Sequence, residues 1–385
     1  MRATMFRHKG EELIRLVTIC TVIAVFGVMI PSPSSAAGGP ETGIREKIGQ
    51  MFMVGFRGLT VDERSPVIRD IKRGRIGGVI LFDYDVPSAS PVRNIESPRQ
   101  VTKLVADLQD AASGPLFVAI DQEGGRVCRL KEQFGFPPSV SAQHLGSLDS
   151  VETTKRYADR TAATLVALGI NLNFAPVVDL NTNPDNPVIG RLERSFSADP
   201  AVVTRHALAV IDSLHDRGIL SAIKHFPGHG SSTADSHEGF VDITETWSSK
   251  ELIPFDKIVE AGKCDMIMTA HVFNRRLDPR WPATLSCGMI REVLRGHMGY
   301  GGIIVSDDMQ MKAIREAYGL ETAIERAVLA GVDILLFANN SVFDEDIASR
   351  AGAILARLVR NGKVPPGRID ESYRRIMKLK ERLRR

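Results

Sequence analysis

Short apolar runs recur along the chain, and between them lie longer stretches in which apolar residues return every three or four positions. The runs are GQMFMVGF (49–56), IGGVILF (76–82), PLFVAID (115–121), NLNFAPVVDL (171–180), LSAIKHF (220–226), DMIMTAHV (265–272), GIIVSDD (302–308) and VDILLFA (332–338). Each has the length and composition of a buried strand. The stretches between them include SPRQVTKLVADLQDAA, VETTKRYADRTAATLVALG, PAVVTRHALAVIDSLHDRG and LETAIERAVLAG, several closed by glycine as helices commonly are. A strand-then-helix unit repeated about eight times predicts an α/β protein of the (β/α)8 TIM-type barrel class. A doubly wound open sheet is the alternative, because strand count does not establish closure. No Pro/Gly/Ser linker and no solenoid-period repeat interrupts the chain after residue 45, so a single domain over 39–385 is expected.

In a barrel of this kind the groups just past the strands' C-terminal ends share one mouth. The fifth run ends in Lys224, His225 and Phe226 and leads into PGHGSSTADSHEG, so that three histidines, a lysine and an aspartate stand among glycines and small polar residues. The third ends in DQEGGRVCRL, where Asp121, Arg126 and Arg129 flank paired glycines that let backbone approach a ligand closely. After the fourth comes NTNPDNPVIGRLERSF with Arg191 and Arg194, whose planar forks suit carboxylates and sugar hydroxyls. His271 ends the sixth run, either as a site residue or as a satisfied core histidine. Asp307 and Asp308 end the seventh; one can cap the helix that follows while the other points into the mouth. Asn339 and Asn340 after the eighth are loop formers without decisive chemistry.

Composition changes this picture little. With 385 residues, 43% hydrophobic and 25% charged, the chain is globular, and a net charge of +3 spread along it gives no reason to expect a nucleic-acid partner. The basic terminus RRIMKLKERLRR reads as an amphipathic helix with a solvated face. The N-terminus does change the picture. Arg2, Arg7, Lys9 and Arg15 precede the apolar VTICTVIAVFGVMI, and PSPSSAAGG offers small residues for cleavage near Ala36 or Ala37. Residues 1–38 are therefore an expected export signal, and membrane attachment would come only through that segment left uncleaved. Cys20 lies inside it without a lipoprotein box. Cys128, Cys264 and Cys287 are an odd set without metal-ligand spacing, open to one disulfide or none.

Taken together, IGQMFMVGF, DQEGGRV, NFAPVVD, KHFPGHG with DSH just after it, MTAHV and IIVSDDM, in that order, resemble the glycoside hydrolase family 3 β-N-acetylhexosaminidases. The likeness runs over nearly all of residues 43–380. It implies a TIM-type barrel and an exo-acting, retaining enzyme that takes terminal non-reducing N-acetylglucosamine from peptidoglycan fragments or chitin-type oligosaccharides, with no cofactor and no metal. Asp307 matches the family's nucleophile, and Asp308 is left for capping or support. Asp235 and His237 match the loop dyad that serves as general acid/base. Asp121, Arg129, Lys224 and His225 match positions that hold the sugar. Arg194 matches the arginine of the family's R-S-F, but the spacing before it is longer than usual, so Arg191 stays open for that place. The second α/β domain that some exported members carry is not expected, and the signal implies a periplasmic or secreted enzyme.

Three other functions remain open on the sequence. A histidine acid/base would not repel an anionic acceptor, so a β-N-acetylglucosaminide phosphorylase is one. A metal-dependent barrel hydrolase using His225, His229, Asp235, His237 and His271 is another. The third is a glycan-binding protein that keeps the barrel without the chemistry.

Overall fold

The structure, a computed structural model, describes residues 43–384. The expected export signal lies outside the described residues. All eight expected strands form, and we number them β1 (Phe52–Gly55), β2 (Gly78–Leu81), β3 (Phe117–Ile120), β4 (Leu172–Asn173), β5 (Leu220–Phe226), β6 (Met266–Thr269), β7 (Ile303–Ser306) and β8 (Leu335–Phe337). They pair in parallel, each with its chain neighbour, and β8 returns to pair with β1. A parallel bridge from Val305 to Ile334 and the Leu336 N–H donated to the Ser306 hydroxyl join β7 to β8. The ring is a (β/α)8 barrel of the TIM type, and the doubly wound alternative is set aside.

Every residue of β1 to β8 is buried. These strands face side chains inside the barrel and helices outside it, which is why they read as unbroken apolar runs. The Phe52 and Phe337 rings, 6.0 Å apart, mark the seam where first and last strands meet. Helix Pro98–Asp110 shows how the outer layer is specified. The Ser97 hydroxyl accepts the Gln100 N–H at its start, Pro98 occupies a position whose N–H needs no partner, and Val101, Leu104, Val105 and Leu108 form its buried stripe. Ser150 and Asp199 cap Val151–Ala167 and Pro200–His215 in the same way.

The fourth run, expected over 171–180, forms only two residues of strand. Pro176 has no N–H to donate, so the ladder stops, and the chain rejoins β5 through the Val178 N–H on the Lys224 carbonyl. The sixth run also divides: β6 ends at Thr269, and Val272–Phe273 pairs instead with Val241–Asp242. That two-residue ladder fixes the far end of the loop that begins after β5. Cys128, Cys264 and Cys287 are free thiols. Among the described residues no helix is long and apolar enough to cross a membrane.

Candidate active site

The C-terminal ends of β3, β4 and β5 supply one buried network of charges. Lys224, 2% exposed, extends its ammonium to Asp121 and to Glu123, 2.7 Å from each. Arg194 grips Glu123 with two hydrogen bonds, from Nε at 2.8 Å and from a terminal nitrogen at 2.7 Å, and gives its other terminal nitrogen to the Val188 carbonyl. Arg129 lies 3.5 Å from Asp121 and 3.7 Å from Asp83, and Lys131 also pairs with Asp83. Burial disfavours both central carboxylates, but Lys224 with Arg129 outweighs it at Asp121, and Arg194 with Lys224 outweighs it at Glu123; both are held below their usual range. The same logic acts on Arg194, where burial opposes the charge and Glu123 more than restores it.

His225 stands beside this network. Its Nδ1 is 2.7 Å from Asp179, whose carboxylate also accepts the backbone N–H groups of His225 and His229. With Nδ1 donating to that carboxylate, Nε2 faces the Arg194 guanidinium at 3.3 Å as an acceptor. The peptide between Lys224 and His225 is cis.

Across the mouth Asp307 ends β7. One of its oxygens accepts the Asp308 N–H at 2.8 Å. Burial would raise its pKa, but His271, His225 and His237 surround it, and the group is held at about 2. Asp308 beside it behaves oppositely: burial lifts it to about 6 despite the N–H groups of Gln310 and Ala338 that it accepts. The sequence left Asp308 for helix capping or support, and support is what it gives. The next helix, Lys312–Tyr318, has Met311 at its start with no side-chain cap, whereas Asp308 ties the turn after β7 to the end of β8. His271 is a satisfied buried histidine, with Nδ1 at 2.9 Å from the Thr284 hydroxyl and Nε2 at 3.0 Å from the Asp308 carbonyl. It braces the floor under Asp307.

The loop after β5 carries Asp235 and His237. Asp235 accepts both the backbone N–H of His237 at 2.8 Å and its Nδ1–H at 2.7 Å, so Nε2 is the ring nitrogen left to face outward. Burial lowers the His237 pKa, while Asp235 and the field of Asp307 raise it further than burial lowers it. Asp307 therefore feels His237 although the imidazole is 57% exposed.

Placed on the structure, Asp121, Arg129, Arg194, Lys224 and His225 converge, and His225 and His237 are among the groups whose field reaches Asp307. Arg191 does not join them; it is exposed, 3.7 Å from Asp185 at the surface. Arg126 is exposed as well, near Glu193. Two members of the cluster, Glu123 and Asp179, were not singled out from the sequence, though each stands inside a quoted motif, DQEGGRV and NFAPVVD. Nor do the five side chains considered for a metal form a ligand set. His229 is hydrogen-bonded to the Ser232 and Ser236 hydroxyls, and His271 to Thr284 and a carbonyl. Among the described residues no three His, Cys, Asp or Glu side chains converge as metal ligands.

A model of the glycosyl hydrolase family 3 N-terminal domain matches residues 43–379. The chain belongs to glycoside hydrolase family 3. It is thus a hydrolase of O-glycosyl bonds. A β-hexosaminidase of Tolumonas auensis is 38% identical over 306 residues, covering 79% of this chain and 84% of that one. The structure of a family 3 β-N-acetylglucosaminidase from Paenibacillus superposes with a TM-score of 0.81 at 36% identity over 89% of this chain, which spans 62% of that longer protein. A β-N-acetylhexosaminidase from Beutenbergia cavernae superposes with a TM-score of 0.79 at 28% identity, and there the match spans 100% of the solved chain.

Proposed function

We propose that this family 3 glycosidase is an exo-acting, retaining β-N-acetylglucosaminidase that releases terminal non-reducing N-acetylglucosamine from peptidoglycan fragments or chitin-type oligosaccharides. The observation that carries the reading is Asp307, an aspartate held ionised at about pH 2 and above, in a mouth whose other side is a buried charge network. Its unprotonated carboxylate attacks the anomeric carbon; the bond to the leaving oxygen breaks, and a covalent glycosyl-enzyme forms. His237, as imidazolium, donates its Nε2 proton to the leaving oxygen, and Asp235 acts through it by fixing the tautomer. In the second half the neutral imidazole takes a proton from water, which attacks the same carbon and frees Asp307. Asp121, Arg129, Arg194, Lys224 and His225 hold the sugar, with Glu123 and Asp179 keeping the cationic and imidazole groups in place.

The relatives' names support the N-acetylhexosamine specificity. The expected export signal supports action in the periplasm or outside the cell. The test is turnover of 4-nitrophenyl N-acetyl-β-glucosaminide by wild type and by Asp307→Ala. A loss of at least about 10³-fold with the fold intact is expected for removal of a nucleophile. Wild-type turnover in the variant overturns the assignment. Release of free N-acetylglucosamine in phosphate buffer is expected, and N-acetylglucosamine 1-phosphate as the main product would make the enzyme a phosphorylase.

A further inference from the structure

The loop that carries Asp235 and His237 has a stem and a tip. The stem, 227–232, is held from two sides. From the connection after β4, Asn186 donates to the His229 and Gly230 carbonyls and to the Ser232 hydroxyl, and Asn183 donates to the Ser232 carbonyl. From the segment before helix Ile253–Glu260, the Trp247 indole N–H reaches the Pro227 carbonyl at 3.0 Å, and Glu251 accepts the Gly230 N–H at 3.2 Å. Beyond Ser232 the residues turn outward, and His237 is exposed.

Glu251 is the unusual member of this clamp. It is 1% exposed, and one of its two carboxyl oxygens and the Ser231 hydroxyl are both buried without a hydrogen bond of normal geometry, so any contact between them is a weak one. Gly228, at φ +116°, sits so close that a Cβ there would lie 2.6 Å from the Glu251 Cβ and from its Oε2. A side chain so placed needs glycine opposite it, and the stem's path is shaped to receive it. The proposed reaction gives Glu251 no chemical task.

We propose that Glu251 is a positioning residue that, as a neutral carboxylic acid, clamps the stem of the His237 loop and releases it on ionising. The proposal rests on the assignment of His237 as acid/base. Burial is the main cause that lifts Glu251 to about 7, the Asp179 carboxylate adds to it, and the Ser231 hydroxyl with the backbone N–H groups of Gly230 and Ser248 only partly offsets them. The titratable groups on the facing elements are Asp179, at the end of the connection from β4, and His229 on the stem, which burial keeps near 4 and hence uncharged. Neither supplies a cation to stabilise a Glu251 carboxylate. Lys250, next to it in the chain, is exposed.

The sign follows from linkage. A carboxyl whose pKa is higher in the clamped state favours clamping fully below its ordinary value of 4.5 and loses that contribution as pH rises to about 7, beyond which the effect is flat. Once released and hydrated, the group ionises normally. Amide hydrogen exchange over 228–240, corrected for the intrinsic pH dependence of exchange, should therefore speed up by about 40-fold between pH 5 and pH 7 in wild type. In Glu251→Gln, which keeps an acceptor for Gly230 but cannot ionise, the corrected exchange should not change over that range. Ser231→Ala removes a group that favours the carboxylate, so it should move the upper end of the window to higher pH, and it serves if Glu251→Gln fails to fold. Exchange that is independent of pH in wild type, or equally dependent in Glu251→Gln, overturns the proposal. No substrate enters this measurement, so a failure here is distinct from a failure of the glycosidase reading, which Asp307→Ala tests.

Discussion

Lys224 is 2% exposed and His237 is 57% exposed, yet both stand at the mouth of one barrel. Lys224 belongs to a wall of linked charges: it touches Asp121 and Glu123, Glu123 is gripped by Arg194, and Asp121 lies near Arg129. His237 belongs to a loop tip and has one charged partner, Asp235, two residues away. The difference fits two tasks. A sugar ring must be met by groups already oriented, because orientation paid for at folding need not be paid again at binding. An acid/base must give a proton to one molecule and take it from another, and the departing glycan must leave past it. The wall trades adaptability for pre-organisation, and the loop does the reverse.

Breaking the wall should show the largest effect. Glu123→Ala leaves the Lys224 ammonium with one partner and Arg194 without its bidentate one, both inside the protein. Removing one member of a buried ion network typically costs about 3–5 kcal/mol. The expected result is a large fall in thermal midpoint together with loss of activity. A variant with the wild-type midpoint would show that water reaches these groups freely and that the wall is not rigid.

Breaking the tip should touch rate and spare stability. His237→Gly should slow poor leaving groups by about 10²–10⁴-fold while activated aryl glycosides, which need no proton at bond cleavage, change much less. Its thermal midpoint should stay close to wild type, because an exposed loop side chain outside the core contributes little. Equal slowing of both substrates would count against the acid role and would place His237 with the wall instead.

The same contrast governs what could be read in the residues. The strands were legible because burial on both faces leaves apolar runs, and the two that shortened did so for reasons of backbone pairing. Pro176 ends β4, and the return of Val272–Phe273 to Val241–Asp242 ends β6. Asp235 and His237 were legible because their partnership is local. Glu123 and Glu251 were not, since an acid in a glycine-rich or helical segment ordinarily reads as solvated, and Asp179 was not, since it closes an apolar run that names no partner for it. Only the closed barrel places Glu123 under Lys224, Asp179 under His225, and Glu251 against Gly228.

Asp235→Asn sharpens the comparison from the electrostatic side. Asp235 is the largest influence raising the His237 pKa against burial, so its neutralisation should lower that pKa. The imidazolium, needed as proton donor, is then lost at lower pH, and the alkaline limb of turnover on unactivated substrates moves to lower pH. At neutral pH the rate should fall by about tenfold or more. An unmoved limb would mean that Asp235 only shapes the turn.

The smallest expected effect separates two arginines of one loop. Arg194 is 10% exposed and bound to Glu123 at 2.7 Å, whereas Arg191 is 66% exposed and 3.7 Å from an Asp185 that is itself 89% exposed. An exposed pair at that distance is screened by water and salt and gains little from closer geometry. Arg191→Ala should therefore change stability by no more than about 0.5 kcal/mol. It should also leave KM unaltered, because the side chain is directed to solvent and not to the wall. Arg194→Ala, the companion measurement, should raise KM and lower the thermal midpoint together, since it removes the fork proposed to hold the sugar and strips Glu123 of a buried partner. A raised KM in Arg191→Ala with none in Arg194→Ala would exchange their roles, and the longer spacing before Arg194 would then mark a displacement of the sugar-binding arginine along the loop.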